Sequence, residues 1–320
     1  MSSSSEASLT RYSRLAWLAG LALLIAAPFI GLYPIFVMKA LCYAIFACAF
    51  NLLLGYTGLL SFGHAAYLGA AAYFTGYLVR NAGFSPELGV LAGTLGAGLI
   101  GLLVGLIAIR RQGIYFAMIT LAMAQMVYFV WLQAPFTGGE DGLQGVPRGK
   151  LFGLIPLQND IAMYFVVLAV FVAVFLAIIR IVHSPYGQVL KAIRENEPRA
   201  VSLGYDVDKY KLLAFVLSTS LAGLAGSLKT LVLGFATLSD AHWSLSGEVV
   251  LMTLLGGMGT FAGPVLGAFT IIGLQDLLAD RVGSWVTVII GVIFVLCVVG
   301  FRRGFVGEVL AWRRRQQAGQ

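Results

Sequence analysis

Long apolar runs dominate the chain, and they recur at the spacing of membrane-crossing helices. The runs cover residues 15–35, 38–55, 63–79, 88–109, 113–134, 161–182, 212–234, 247–260, 263–280 and 283–301. About 20 apolar residues are needed to cross a bilayer core of ~30 Å. The pattern therefore predicts an all-α polytopic integral membrane protein with about ten transmembrane helices. The eighth run is short for a full crossing, so whether it spans or re-enters stays open.

Composition supports this fold class. Hydrophobic residues make up 59% of the chain and charged residues 11%, whereas a soluble domain carries about 25% charged residues. This balance excludes a soluble enzyme, a disordered chain and a disulfide scaffold. The three cysteines, Cys42, Cys48 and Cys297, lie in apolar runs, so we predict neither a disulfide framework nor a metal site.

The net charge of +7 becomes informative once the basic residues are placed on the predicted helices. With the N-terminus inside, six of the 21 basic residues lie at the outer side: Lys39, Arg80, Arg148, Lys150, Lys229 and Arg281. The other fifteen lie inside, which is the bias of the positive-inside rule. We therefore predict cytoplasmic tails over 1–14 and 302–320, a single membrane domain over 15–301, and no nucleic-acid partner.

The two large loops differ in character. The loop 135–160 is predicted to be external, and its sequence TGGEDG is typical of turns, in which glycine adopts positive φ. One interpretation is a structured turn. The other is a docking surface for an external partner, formed by Thr137, Gly138, Gly139, Glu140 and Asp141.

The cytoplasmic loop 183–211 carries the signals of a capped amphipathic segment. Ser184 and Pro185 are typical of a helix start, a second start follows at 196–198, and Gly204 is placed to end the helix. The apolar face contains Val189, Leu190 and Ile193 and is predicted to continue through Ala200, Val201 and Leu203. The polar side contains Lys191, Arg194, Glu195 and Arg199. Such a helix lies on the lipid surface or docks a protein, and its mixed charges favour docking.

Two glycine-rich passages, 55–64 and 256–264, interrupt the hydrophobic runs about 200 residues apart. Paired interruptions in two halves of a membrane protein are typical of a transport pathway. The alternative is a pair of ordinary turns at the cytoplasmic face, and the sequence leaves both open. The candidate pathway residues are Tyr56, Thr57, Gly58, Ser61, Phe62, Gly63, His64, Gly256, Gly257 and Gly259.

The sequence contains no motif of a catalytic or nucleotide-binding site. The only Gly-Lys pair, Gly149-Lys150, precedes Leu151 and therefore is not a P-loop. Ionisable residues within the apolar runs are few, with His64, Glu248, Asp276 and Asp280 as the candidates. Ion-coupled carriers and proton pumps usually show several such residues. We therefore predict no catalytic residues in this chain.

The sequence resembles the LivM-type permeases of the branched-chain amino acid ABC importers. The resemblance rests on GYTGLLSFGHAAYLG (55–69), GIYFAMITLAMA (113–124), TGGEDGL (137–143), 186–226, 246–268 and RGFVG (303–307). It implies that 184–208 is the cytoplasmic coupling segment, with Glu197, Ala200 and Gly204 on its pattern. Pro198 and Arg199 depart from it, because the family more often has small or apolar residues there.

The resemblance also implies the partners and the location. Such a permease works with a related second permease, two cytoplasmic ATPase subunits and an external solute-binding protein, in the bacterial inner membrane. ATP and Mg²⁺ would be used by the ATPases, so no cofactor is expected in this chain. Leucine, isoleucine and valine are the implied solutes, with urea, short amides or other amino acids as alternatives. A secondary carrier or channel that works alone is a further alternative.

Overall fold

The computed structural model describes residues 19–300, 304–305 and 307–308, and helices account for most of them. The helices, numbered along the chain, are α1 Ala19–Phe29, α2 Pro34–Thr57, α3 His64–Arg80, α4 Pro86–Ala108, α5 Ile114–Gln133, α6 Asp160–His183, α7 Pro185–Glu195, α8 Glu197–Ser202, α9 Val207–Leu233, α10 Trp243–Gly256, α11 Ala262–Val282 and α12 Val286–Gly300. Each predicted apolar run overlaps one of them.

Six helices in the described part of the chain are long and apolar enough to cross a membrane: α2, α4, α5, α6, α9 and α11. The prediction of a helical membrane protein is therefore confirmed. The number of crossings and the side on which each terminus lies stay predictions. The predicted tail 1–14, and most of the tail 302–320, lie outside the described residues.

The first predicted span, 15–35, is wrong at its C-terminal boundary. The helix ends in a short 3-10 turn, Ala27–Phe29, and α2 begins at Pro34. Gly31 has a φ of 90°, a conformation that breaks a helix and suits glycine. Pro34 takes the first helical position, where its missing N–H costs nothing. Hydropathy separated the two helices but placed the boundary too late in the chain, because the connecting residues are themselves apolar.

Helix α2 forms the centre of the bundle, and α6, α9, α10 and α11 pack around it. It is apolar all round and buried over most of its length, as expected for a helix without a lipid-facing side. Helix α9 also packs on α3 and α4. Small residues allow this close approach: a Cβ on Gly101 would lie 2.0 Å from Thr219 Oγ1, and one on Gly223 would lie 2.3 Å from Ala97 Cβ.

Two short antiparallel strand pairs mark one end of the bundle. Leu143–Gln144 pairs with Phe235–Ala236, with Leu143 opposite Ala236. Lys150–Leu151 pairs with Ile155–Pro156, with Lys150 opposite Pro156. We call this the strand end. The opposite end carries the two short helices α7 and α8, and we call it the α7 end.

The segment between α9 and α10 enters the bundle without forming an α-helix. After Gly234 the chain is extended and then forms a 3-10 helix, Leu238–Ala241, before α10 begins. Ala241 lies against Gly69, partway along α3, where a Cβ on the glycine would be 2.5 Å from Ala241 Cβ. Thr237 N–H donates to Asp240 Oδ2 over 3.3 Å. Irregular backbone at this depth needs such internal partners, and the sequence did not reveal it.

Candidate functional site

Helices α7 and α8 begin where the sequence predicts. Ser184 Oγ accepts from Gly187 N–H over 3.3 Å, and Pro185 takes the first turn. Asn196 Oδ1 accepts from Arg199 N–H over 3.1 Å and starts α8. Gly204, with a φ of 87°, ends α8 in a left-handed conformation. The whole 184–208 segment is therefore built from local capping signals.

The buried face of this segment is shorter than predicted. Leu190, Ile193 and Ala200 are buried, and Ile193 and Ala200 cluster with Val207 of α9. Val201 and Leu203 are instead 56% and 69% exposed, so the prediction that they continue the apolar face is wrong. The helix is interrupted at Asn196, which has a φ of −158°. The apolar face of α7 therefore does not continue in register into α8.

Arg194 reaches from α7 to the end of α2. Its guanidinium donates to the carbonyl oxygen of Gly55. A Cβ on Gly58 would lie 3.2 Å from Arg194 Cγ, and one on Gly259 would lie 3.3 Å from Arg194 Nη1. Arg194 thus connects α7 to both glycine-rich passages. The sequence grouped it with Lys191, Glu195 and Arg199 on the polar side and did not reveal this contact.

Glu197 connects α8 to the α4–α5 connection and to α9. Its Oε1 accepts from Gln112 Nε2 over 2.8 Å, and Gln112 belongs to the α4–α5 connection. It also forms an ion pair with Lys211 of α9 at 2.6 Å. The Lys211 side chain is only 3% exposed, so Glu197 neutralises a buried charge. Gln112 and Lys211 are partners that the sequence did not indicate.

Two tyrosines join the start of α7 to the start of α9. The rings of Tyr186 and Tyr210 stack with centroids 5.7 Å apart, and Tyr186 Oη donates to the carbonyl oxygen of Tyr210 over 3.0 Å. Burial raises the pKa of the Tyr186 hydroxyl, which keeps it a hydrogen-bond donor. Nearby, Asp206 caps α9, and its hydrogen bond with Lys209 lowers the pKa of Asp206.

The two glycine-rich passages meet at the α7 end. Asn51 Nδ2 donates to the carbonyl oxygen of Thr260 over 2.9 Å, and Asn51 Oδ1 accepts from Gly259 N–H over 2.9 Å. The ring of Tyr56 packs on that of Phe261, 5.8 Å between centroids. Both passages therefore connect helices directly beside α7, and their part in a pathway stays a prediction.

The remaining candidate pathway residues lie around the place where the two glycine-rich passages meet. His64 is fully buried, and its Nε2 donates over 2.8 Å to Ser218 Oγ, which donates in turn to the carbonyl oxygen of Ala49. Thr57, Ser61, Gly63, Gly256 and Gly257 are also buried. Phe62 instead lines an apolar pocket between the 55–64 passage and the start of α5, formed by Gly58, Leu59, Leu60, Phe62, Gly113, Ile114, Phe116 and Ala117.

The candidate docking residues of the 135–160 loop lie at the strand end, away from α7. Thr137 is buried, and its Oγ1 donates to the carbonyl oxygen of Trp131 over 2.6 Å. Gly138 and Gly139 have φ values of 80° and 60°. Glu140 and Asp141 are exposed on the resulting turn. The turn is thus structured, and its acidic side chains are free to meet a partner.

We expect Arg194→Ala to loosen the 55–64 passage. The lost hydrogen bond involves a charged donor, and such bonds contribute about 1.5–3 kcal/mol, or roughly 10- to 150-fold in a local opening equilibrium. Amide hydrogen exchange of the α2–α3 connection should therefore accelerate by at least about tenfold. Lys191→Ala, on the same helix, is the control. Equal exchange in the two variants would contradict this role of Arg194.

A family profile described as "Branched-chain amino acid transport system / permease component" matches residues 33–298. The chain belongs to this permease family. The match covers every element of the junction around α7 and also the strand end. The resemblance inferred from the sequence is thereby confirmed. The contacts between α7 and the two glycine-rich passages therefore belong to a membrane permease.

Curated relatives of this permease agree with the family. It is 28% identical over 261 residues to the high-affinity branched-chain amino acid transport system permease protein LivM of Escherichia coli K12, and 30% identical over 263 residues to LivM of Salmonella typhimurium. Each match covers 74% of the permease and 61% of the relative, so the chain spans less than two thirds of their length. The autoinducer 2 import system permease protein LsrC of Klebsiella pneumoniae is 29% identical over 205 residues, or 62% of this chain and 55% of the relative. No solved structure matches significantly.

Proposed function

We propose that this chain is the permease subunit of an ATP-binding-cassette importer for branched-chain amino acids in the bacterial inner membrane. The family match and the LivM relatives support the transport class and the solutes. The observation that carries the mechanism is the α7–α8 segment. It exposes Val201 and Leu203 outward while Arg194 and Glu197 hold it to the bundle.

In this mechanism the exposed side of α8 meets a cytoplasmic ATPase. Two such ATPases would bind ATP and Mg²⁺, and this chain would supply no catalytic group. Movement of α7–α8 passes to α2 through Arg194 and to α4, α5 and α9 through Glu197. ATP binding and hydrolysis in the ATPases would stabilise two arrangements of these helices to different extents. A shift between an outward-open and an inward-open arrangement is sufficient for alternating access.

The other partners follow from the same arrangement. A related second permease would complete the pathway, since importers of this kind pair two membrane subunits. An external solute-binding protein would dock at the strand end, where Glu140 and Asp141 are exposed. The two ends of the bundle would then have separate tasks, solute delivery at one and energy input at the other.

We expect the double variant Val201→Asp/Leu203→Asp to lose ATPase docking, because it places two charges in an apolar interface. The ATPase subunits should no longer copurify, and ATP-dependent leucine uptake in proteoliposomes should fall at least about tenfold. Leu154→Asp is the control for copurification and should keep the ATPases bound, since Leu154 is an exposed apolar residue at the strand end, away from α8. Retained copurification and uptake in the double variant would refute the docking assignment.

Two further measurements address the class and the solute. Leucine uptake by the purified chain alone in liposomes, without ATPases, would favour a secondary carrier. For the complete importer, competition of labelled leucine uptake by unlabelled isoleucine and valine, but not by urea, is the expected pattern. Competition by urea alone would instead favour the amide-transporting alternative.

A further inference from the structure

Two stacked aromatic rings near the strand end carry hydrogen-bond donors that have no acceptor. The ring of Tyr73, on α3, stacks on that of Trp131, on α5, with centroids 5.5 Å apart and planes inclined by 17°. Tyr73 is 1% exposed and Trp131 is 4% exposed. In the described part of the chain, five buried side-chain nitrogen or oxygen atoms lack a hydrogen-bond partner, and Tyr73 Oη and Trp131 Nε1 are two of them.

Unpaired donors of this kind call for an acceptor from outside the chain. A buried polar group without a partner destabilises a fold, and native structures contain few of them. Here two such groups belong to rings in direct contact. An indole N–H can only donate, and a tyrosine hydroxyl is a donor as well. The pair therefore fits a ligand group with two acceptor oxygens, such as a carboxylate, which strengthens the bonds that it accepts.

Further aromatic rings surround the two donors. Phe74 meets the Trp131 ring edge-on with 5.2 Å between centroids, and Phe136 meets it edge-on at 6.2 Å. Rings of this kind offer a large apolar contact area. A ligand whose carboxylate accepts from Tyr73 and Trp131 could therefore place an apolar side chain against Phe74 and Phe136.

Phe136 forms the outer side of this aromatic cluster. It is 45% exposed and belongs to the short 3-10 turn Pro135–Thr137 at the strand end. Its ring also packs on that of Tyr77, which is 37% exposed, with 5.3 Å between centroids. Thr137 Oγ1 fixes the turn by donating to the carbonyl oxygen of Trp131. Rotation of the Phe136 side chain would uncover Trp131 toward the strand end without moving a membrane-spanning helix.

We propose that Tyr73 and Trp131 form a receiving site for the solute at the strand end, where Tyr73 Oη and Trp131 Nε1 donate to its carboxylate. The apolar side chain of the solute contacts Phe74 and Phe136. The inference rests on the proposed importer function and deepens it, because it assigns residues to the solute that the binding protein releases. The site favours a carboxylic acid with an aliphatic side chain over urea, which has neither group.

The first test removes one hydroxyl and keeps the stacked ring. Because Tyr73 Oη has no partner in the protein, Tyr73→Phe should leave the melting temperature of the solubilised importer unchanged or raise it. Leucine uptake in proteoliposomes, at a saturating concentration of loaded binding protein, should nevertheless fall at least about tenfold, the loss expected for a hydrogen bond to a charged group. Trp131→Phe, which keeps a ring but loses the N–H, should lower uptake in the same way.

Tyr164→Phe is the matched control, since Tyr164 Oη donates to the carbonyl oxygen of Leu24. It should lower the melting temperature and leave uptake per folded importer unchanged. The receiving site thus predicts opposite patterns for two buried tyrosines. Wild-type uptake by Tyr73→Phe would overturn the proposal. A lower melting temperature of Tyr73→Phe would overturn it as well, because it would show that the hydroxyl is bonded within the protein.

A second test measures binding directly through the fluorescence of Trp131. The full-length chain contains five tryptophans, and phenylalanine would replace the other four: Trp17, Trp243, Trp285 and Trp312. Leucine should change the Trp131 emission in a saturable manner. Adding Tyr73→Phe to this variant should raise the half-saturating leucine concentration at least about tenfold.

The outcomes of the binding test separate the receiving site from the proposed function. No response to leucine or urea, together with ATP-driven leucine uptake by the wild-type importer, would show that the two donors bind only water. That result would overturn the receiving site and leave the proposed function intact. A saturable response to urea and none to leucine would instead refute the proposed solutes and the preference for a carboxylic acid, while the two donors would remain a binding site.

Discussion

Alanine at Gly267 is expected to prevent α10 from packing against α11 and to leave little folded protein in the membrane. A Cβ at this position would lie 1.8 Å from the carbonyl oxygen of Met252 and 3.2 Å from the backbone nitrogen of Gly256. One turn earlier, a Cβ on Gly263 would lie 2.5 Å from the carbonyl oxygen of Gly257. The two glycines form a GxxxG pair, which allows two helix backbones to come into contact.

The effect of Gly267→Ala should be large because the obstructing atoms belong to backbone. No side-chain rotation relieves the clash, so the helices must separate, and overpacking of this kind costs about 3 kcal/mol or more. We expect a strong decrease in the melting temperature of the detergent-solubilised protein. Fluorescence-detected size exclusion after heating measures this temperature.

Gly273→Ala is the matched control for this prediction. It lies on the same helix, and its Cβ would meet only Phe36 Cζ, at 3.9 Å. The control should therefore keep the melting temperature of the wild type. If both variants melt alike, the packing argument for Gly267 is wrong.

The second large effect is expected at the ion pair between Lys229 and Asp240. Both side chains are buried, their charged atoms are in direct contact, and the Lys229 ammonium lies 5.8 Å from the centroid of the Tyr43 ring. Asp240→Leu would leave the lysine charge buried without its partner. Breaking a buried pair in this way costs about 3–5 kcal/mol. We expect unfolding of the solubilised protein at a correspondingly lower denaturant concentration.

The double variant Lys229→Met/Asp240→Leu provides the decisive comparison. It removes both charges and should be more stable than either Lys229→Met or Asp240→Leu alone, because no unpaired charge remains. Lys209→Met is the control, since the Lys209–Asp206 pair is exposed and such pairs contribute roughly 0–1 kcal/mol. Additive losses in the double variant would show that the two charges act independently.

Helix positions and caps were predictable because their causes are local. Each apolar run overlaps a helix, and the starts at Ser184 and Asn196 follow from side chains that satisfy nearby N–H groups. The ends were less predictable where apolar residues also form the connection, as between α1 and α2. The helices of the 184–208 segment were therefore predicted correctly along the chain, whereas their contacts were not predicted.

Contacts between elements distant in the chain were not predictable. Arg194 and Gly55 are 139 residues apart, and Gln112 and Glu197 are 85 apart. Neither pair has a periodicity or spacing that links its members. The segment 235–242, which enters the bundle without an α-helix, was not predictable either. Its composition is that of an ordinary loop, and its packing against α3 depends on the fold.

By itself the sequence determined that this protein is a helical membrane permease with a capped segment between two long helices. Hydropathy and capping depend on residues within a few turns of one another, so they can be read along the chain. The tertiary structure alone decided which side of α8 faces outward and which connections Arg194 and Glu197 contact. The physical reason is that burial and charge pairing depend on helix packing, which brings together residues that no local pattern connects.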